Sequence, residues 1–272
     1  MEKNYKKKVQ KLRSAIDEYT NTNIIIAFSG GVDSSLLLKI ACEAASRKHK
    51  KVYAVTIHTE LHSMNDLTIA KRVAEEAGAE HLIIKVNELH EAGINKNPEN
   101  RCYLCKKYLF SKIRELAYTL DVNLILEGTN EDDLYVYRPG IKALKELGII
   151  SPLAEAKMSK KDIRKLAGEY GISVANRPSA PCLATRFPYG TELSYEEMKR
   201  VEEAEEYFKS LGFYNIRVRV HREIARIEID SIDTDMLLRN KDEVIFKLKE
   251  LGYHYVTLDL EGFRSGSMDI FI

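Results

Sequence analysis

The apolar run N-I-I-I-A-F is followed at once by S-G-G-V-D-S-S, Ser29 to Ser35. Two glycines at the end of a buried strand let backbone N–H groups turn toward an anion, and the dipole of the helix that follows adds to the attraction. Ser29, Gly30, Gly31, Ser34 and Ser35 thus form a candidate phosphate cradle, with Asp33 orienting the loop or a cation. The spacing is neither G-x-x-x-x-G-K-[ST], since no lysine follows the glycines, nor G-x-G-x-x-G. The alternative is a solvated turn capped by Ser29 and Asp33. A second cluster, G-T-N-E-D-D from Gly128 to Asp133, closes another apolar segment. Asp132 or Asp133 would suit magnesium, which prefers carboxylate and phosphate oxygens, or would cap a helix. The third chemistry is sulfur. R-C-Y-L-C-K-K places Cys102 and Cys105 three apart at a helix start, so both thiols share one face. That is the first half of many zinc or iron–sulfur sites. No second C-x-x-C follows, which excludes a four-cysteine zinc site, and no histidine stands at a telling spacing. Cys182 is the third candidate, either with the pair or as a lone sulfur donor. Lys106, Lys107, Arg177 and Arg186 would favour thiolates. Cys42, beside Leu37, Leu38 and Ile40, reads as core.

These residues need a frame. Strands are expected at 24–28, 51–59, 81–86 and 122–130, and helices at 1–20, 34–47, 65–78, 103–120 and 159–172. Apolar strands alternating with helices indicate a parallel sheet covered on both faces, here taken as five-stranded. Such sheets hold ligands at the carboxyl ends of their strands, where Asp33, Thr59 and Gly128 fall. The stretch S-V-A-N-R-P-S-A-P-C-L-A-T-R-F-P-Y-G-T-E-L contains three of the six prolines and reads as a junction. It divides a domain over 1–190 from a small α+β domain over 191–272. The latter is expected to hold helices at 194–211 and 234–250, strands N-I-R-V-R-V-H and I-A-R-I-E-I, and a strand at 254–260. Arg217 and Arg219 fall two apart on one strand face and could clamp a phosphate, or form a solvated basic edge.

Composition narrows the partners. The chain has 272 residues, 44% of them hydrophobic, and a net charge of +1, so nothing global draws it to nucleic acid or a membrane. The basic start M-E-K-N-Y-K-K-K lacks the apolar core of a secretory signal. Four cysteines in so long a chain argue against a disulfide framework. The expectation is a soluble, cytoplasmic protein.

S-G-G-V-D-S resembles the pyrophosphate loop of the N-type ATP pyrophosphatases. The chain as a whole, about residues 5–272, resembles the LarE sulfurtransferases within that superfamily. The likeness is carried by that loop, by E-G-T-N-x-D-D, by P-S-x-x-C-L-A-x-R-x-P-Y-G and by R-V-R-V-H with A-R-I-E. The resemblance implies an enzyme that adenylates a carboxylate of pyridinium-3,5-biscarboxylic acid mononucleotide with ATP and Mg2+. It releases pyrophosphate and lets sulfur displace AMP, in nickel-pincer nucleotide cofactor biosynthesis. It implies that Ser29, Gly30, Gly31, Asp33, Ser34 and Ser35 hold the pyrophosphate and that adenine sits near Thr59. Arg217, Arg219 and Arg264 would bind the substrate phosphate, with Arg186 and Glu228 nearby. One sub-group sacrifices the sulfur of a single cysteine. A second has three, and Cys102, Cys105 and Cys182 match it as ligands of a [4Fe-4S] cluster supplied by a sulfide donor. A homo-oligomer is implied as well. The rivals are a transfer-RNA thiolase of the same superfamily, an amidating ligase and a non-catalytic adenine-nucleotide sensor.

Overall fold

Ile24, Ile25 and Ile26 are all fully buried, so the strand they form must be covered on both faces. That demand organises the first part of the chain. The computed structural model describes residues 2–136, 138–178, 181–264 and 266–268. It divides into two compact units. The first comprises Met1–Thr59, Met64–Ala92 and Asn100–Ala180, and the second Glu60–Ser63, Gly93–Glu99 and Pro181–Ile272.

In the first unit, β1 (Ile24–Ala27), β2 (Val52–His58), β3 (Glu80–Lys85) and β4 (Leu124–Leu126) form one parallel sheet in the order β3-β2-β1-β4. Helices α1 (Glu2–Tyr19), α2 (Val32–Ser46), α3 (Met64–Ala77), α4 (Glu88–Glu91), α5 (Arg101–Thr119), α6 (Gly140–Glu146), α7 (Pro152–Glu155) and α8 (Lys160–Glu169) surround it. Ile24 and Ile26 face a core shared by α1, α2, α3, α7 and α8, while Ile25 faces a second core with Phe110, Ile113 and Ala117 of α5 and Leu144 of α6. The alternation follows from the two-residue period of a strand. Along α1, Tyr5, Val9, Leu12 and Ile16 recur at helical spacing and are its buried stripe.

The expected fifth strand is corrected to a single parallel bridge, Leu126 with Ile150. Ile150 donates to Ile125 O at 3.1 Å and accepts from the Glu127 N–H at 2.9 Å. The ladder ends there because Pro152, which has no N–H, opens α7 two residues on.

The second unit contains α9 (Tyr195–Ser210), β5 (Ile216–His221), β6 (Ile224–Ile229), α10 (Thr234–Arg239), α11 (Lys241–Glu250) and β7 (Tyr255–Leu258). β5 and β6 pair antiparallel, and β6 and β7 parallel. The helix expected over 234–250 is two helices. They meet at Asn240, whose side-chain amide donates back to Met236 O at 2.8 Å and so competes with the continuing helix. The longest segment of this unit starts at Pro181. Its Cys182 segment is stitched in by Leu183 N–H to Leu61 O (2.8 Å) and Gly190 N–H to Asn97 O (2.9 Å). The side-chain amide of Asn97 reaches Phe187 O at 3.2 Å and Pro188 O at 2.7 Å. Among the described residues, no helix is long and apolar enough to cross a membrane.

Candidate functional site

Between β1 and α2 the chain makes the turn that the glycines allow. Gly30 has φ +70°, a conformation that costs glycine nothing. Gly31 stands at the N-cap of α2 with no side chain capping the helix, so the first-turn N–H groups of α2 gain no acceptor from a cap. The serines brace the loop from within. Ser34 Oγ donates to Gly31 O at 3.2 Å and lies 3.3 Å from both the Ser29 N–H and Ser29 Oγ. Ser35 Oγ is buried and, among the described residues, has no hydrogen-bond partner. A buried hydroxyl left unpaired beside uncapped N–H groups suits an oxyanion ligand.

The turn after β4 lies against this loop. A Cβ on Gly128 would stand 3.0 Å from the Ser34 backbone nitrogen and 3.2 Å from Asp33 Cβ. Gly128→Ala is therefore expected to cost on the order of 1–3 kcal/mol by overpacking and to weaken nucleotide binding with it. Chemical denaturation and ATP titration of the same variant check both. Glu127 holds the turn, accepting from the Thr129 N–H at 2.9 Å, the Thr129 hydroxyl at 2.8 Å and the Ser151 hydroxyl.

Asp33 accepts from the Asn130 amide at 3.2 Å and forms an ion pair with Lys160. Asp132 accepts the Lys160 N–H at 2.8 Å. Asp133 accepts the Asn130 N–H at 3.1 Å and pairs with Arg138 at 2.9 Å. Asp132 thus holds a backbone partner and Asp133 a backbone and a cation partner, whereas Asp33 stands on the loop itself. Thr59 is buried just past the end of β2. Lys160 and Asn130 escaped the sequence reading. The signal for Lys160 was available, since a lysine in the first turn of a helix opposes the macrodipole and calls for a local reason.

Cys102 and Cys105 lie in the first turns of α5, both half-buried. Gly140 of α6 approaches this turn of α5 closely. A Cβ there would meet Cys102 O at 3.2 Å and Lys106 Cδ at 2.7 Å. Two thiols one turn apart suit two positions of an iron–sulfur donor set. Among the described residues, no three His, Cys, Asp or Glu side chains gather as a metal site. Burial pushes the Cys42 thiol up to about 11, which fits its reading as core.

Cys182 belongs to the second unit, at the N-cap of a single turn, Leu183–Arg186. Ser179 and Ala180 of the motif before it lie outside the described residues. The Cys182 carbonyl accepts the Thr185 hydroxyl at 2.8 Å, the Thr185 N–H at 3.1 Å and Arg186 Nη1 at 3.3 Å. Arg186 grips Glu205 with two parallel bonds of 2.8 and 2.9 Å, both partners being buried. This pairing holds the Glu205 carboxyl below its usual range against the opposing effect of burial. Arg219 makes bonds of 3.1 and 2.9 Å to the fully buried Glu228 and a third of 2.8 Å to Thr185 O. Glu228 also accepts Arg226 at 3.2 Å and the Ser267 hydroxyl at 2.6 Å. Asp259 lies 3.3 Å from both Arg226 and Arg264. Arg217 shares a strand face with Arg219 and stacks over Phe263 at 5.1 Å. Burial, with Arg186 nearby, lowers its basicity to about 10. An arriving dianion would relieve that crowding of like charge. Arg186 and Arg219 are thus tied into the frame of the Cys182 turn, and Arg217 is the arginine whose basicity burial lowers.

Comparison with known proteins shows what the chain is similar to. Residues 1–136 match the family model described as a PP-loop domain. The chain is 39% identical over 246 residues to the pyridinium-3,5-bisthiocarboxylic acid mononucleotide synthase of Lactiplantibacillus plantarum, covering 90% of this chain and 88% of that one. It is 37% identical over 264 residues to an uncharacterized protein of Synechocystis, covering 96% and 97%. A more distant likeness, 26% over 203 residues, covers 59% of this chain and 52% of a tRNA-specific 2-thiouridylase from Ehrlichia ruminantium.

Proposed function

This chain belongs to the PP-loop family and to its LarE branch, and from that premise we propose that it is an ATP-dependent sulfurtransferase acting on pyridinium-3,5-biscarboxylic acid mononucleotide. The observation that carries the reading is the loop of Ser29–Ser35, with its uncapped N–H groups, its buried unpaired Ser35 hydroxyl and the Asp33–Lys160 pair at its edge. In this reading the β- and γ-phosphates of ATP replace water on those donors. Asp33 would hold magnesium, with Asp132 and Asp133 fixing the turn beside it, and Lys160 would shift from Asp33 toward the phosphates. A substrate carboxylate oxygen attacks the α-phosphorus, the α–β bond breaks, and pyrophosphate leaves with its charge stabilised by the loop. Sulfur then attacks the carbonyl carbon of the acyl adenylate. The carbon–oxygen bond breaks, AMP carries the oxygen away, and a thiocarboxylate remains. Arg217 would take the phosphate of the substrate, with Arg264 beside it and Arg186, Arg219 and Glu228 keeping the surrounding frame.

For the sulfur we propose the three-cysteine arrangement. With Cys102, Cys105 and Cys182 as ligands, a four-iron cluster would leave one iron open to carry the sulfide for transfer. The support is the C-x-x-C pair on one helix face and the basic residues around it. Anaerobically reconstituted protein is expected to hold about four irons per chain, and Cys102→Ala or Cys105→Ala to lose most of them while still releasing pyrophosphate. Iron and acid-labile sulfide analysis checks this, and wild-type iron content in both variants would remove the cluster.

The PP-loop domain is assigned to residues 1–190. The α+β part over 191–272 is assigned to substrate binding and self-association in a cytoplasmic homo-oligomer. Pyrophosphate release measured with the pyridinium nucleotide, with transfer RNA and with neither tests the function. Release that requires the pyridinium nucleotide supports the reading. Release that requires transfer RNA would support a thiolase, and ATP binding with no release under any condition would leave a sensor.

A further inference from the structure

Gly30 lies flat on α3. A Cβ there would stand 3.0 Å from Ala70 Cα, so the loop backbone rests directly on that helix. One turn earlier on α3, Asp66 forms an ion pair with Arg177, and both side chains are about four-fifths buried, at 17% and 21% exposure. The same guanidinium reaches back over the loop, its Nη1 3.5 Å from Gly30 O. Arg177 is itself anchored through its own carbonyl, which accepts Arg164 Nη2 at 3.3 Å. The loop peptide is therefore confined from below by Ala70, and its carbonyl faces, at the outer limit of a hydrogen bond, a cation that two other groups hold in place.

The consequence is electrostatic and directional. The peptide joining Gly30 to Gly31 is trans, so its C=O and N–H point in opposite directions. Drawing Gly30 O toward Arg177 aims the Gly31 N–H the other way. Among the described residues that N–H meets a single long contact, 3.4 Å to Ser29 Oγ, which a phosphate oxygen would readily replace. The geometry points to Arg177, supported by Asp66, as a positioning residue that orients the Gly31 donor for the phosphates of ATP. Arg177 does not touch the reacting atoms in this account.

The inference rests on the loop being the ATP site, and its test separates the two. Isothermal titration with a non-hydrolysable ATP analogue and with pyrophosphate is run on wild type, Arg177→Ala and Arg177→Lys. Arg177→Lys keeps the charge for Asp66 but loses the second arm toward Gly30, so it reports even if the alanine variant fails to fold. We expect both ligands to weaken about tenfold in Arg177→Ala, the loss of a charge-assisted contact, and by a smaller factor in Arg177→Lys. The KM for ATP should rise while the KM for the pyridinium nucleotide stays at its wild-type value, a split that general loosening of the fold would not give. Wild-type affinity for both ligands in the folded variants would overturn the inference and leave the ATP site standing. Equal rises in both KM values would also overturn it. Failure of wild type to bind either ligand would instead overturn the site.

Discussion

Asp33→Ala is expected to abolish pyrophosphate release, lowering its rate by about a hundred- to a thousandfold, as loss of a preorganised electrostatic group does, with the melting temperature near that of wild type. The carboxylate sits on the phosphate loop, where it meets the Asn130 amide and Lys160 and is only partly buried. It is not part of either hydrophobic core, so its removal leaves the packing of β1 and α2 unchanged. What is lost is the anchor for magnesium and the counter-charge that draws Lys160 away from the phosphates. Lys160 would then lie closer to the phosphates, so ATP affinity should fall far less than turnover. The comparison of Kd with kcat is the decisive feature. A variant that binds ATP and turns over normally would contradict the assignment of the loop.

The second large effect concerns sulfur. Cys182→Ala is expected to form pyrophosphate in the presence of the pyridinium nucleotide and yet yield no thiocarboxylate, a loss of product of about a thousandfold or more. The reason lies in how the turn is held. The backbone carbonyl of Cys182, not its thiol, makes the bonds to Thr185 and Arg186 that fix the turn, and the Arg186–Glu205 pair lies beneath it. Alanine preserves those contacts and removes the sulfur alone. Activation and sulfur transfer thus come apart, and the acyl adenylate should accumulate or hydrolyse. Mass spectrometry of the quenched reaction, alongside a pyrophosphate assay, measures both halves. Thiocarboxylate formed at the wild-type rate would remove Cys182 from the chemistry.

Much of this was legible in the sequence because its causes are local. A glycine turn between an all-isoleucine strand and a helix depends on neighbours in the chain, so Ser29–Ser35 could be placed by inspection. The C-x-x-C spacing falls on one helix face for the same reason. The partners of the acids were not legible. Lys160 reaches Asp33 across 127 positions of chain, and no local pattern encodes that meeting. The alternation of Arg217 and Arg219 put both on one face correctly. Which of them is tied to a buried carboxylate was not legible: the β5–β6 register sets Arg217 opposite Glu228, yet the ion pair is the diagonal one from Arg219. The fifth strand and the single helix over 234–250 failed at one residue each. Pro152 stops the ladder after the single bridge at Ile150. Asn240 breaks a helix whose flanking residues favour continuation, and its short amide was the available warning.

The central claim is that the oxygen replaced by sulfur leaves with AMP. The direct measurement supplies the pyridinium nucleotide with its carboxylates labelled in heavy oxygen, incubates it anaerobically with ATP and reconstituted protein, and follows the label by mass spectrometry. One labelled oxygen is expected in AMP for each thiocarboxylate formed, with pyrophosphate in equal amount and unlabelled. Thiocarboxylate appearing with unlabelled AMP, or with ADP and phosphate in its place, would contradict the account.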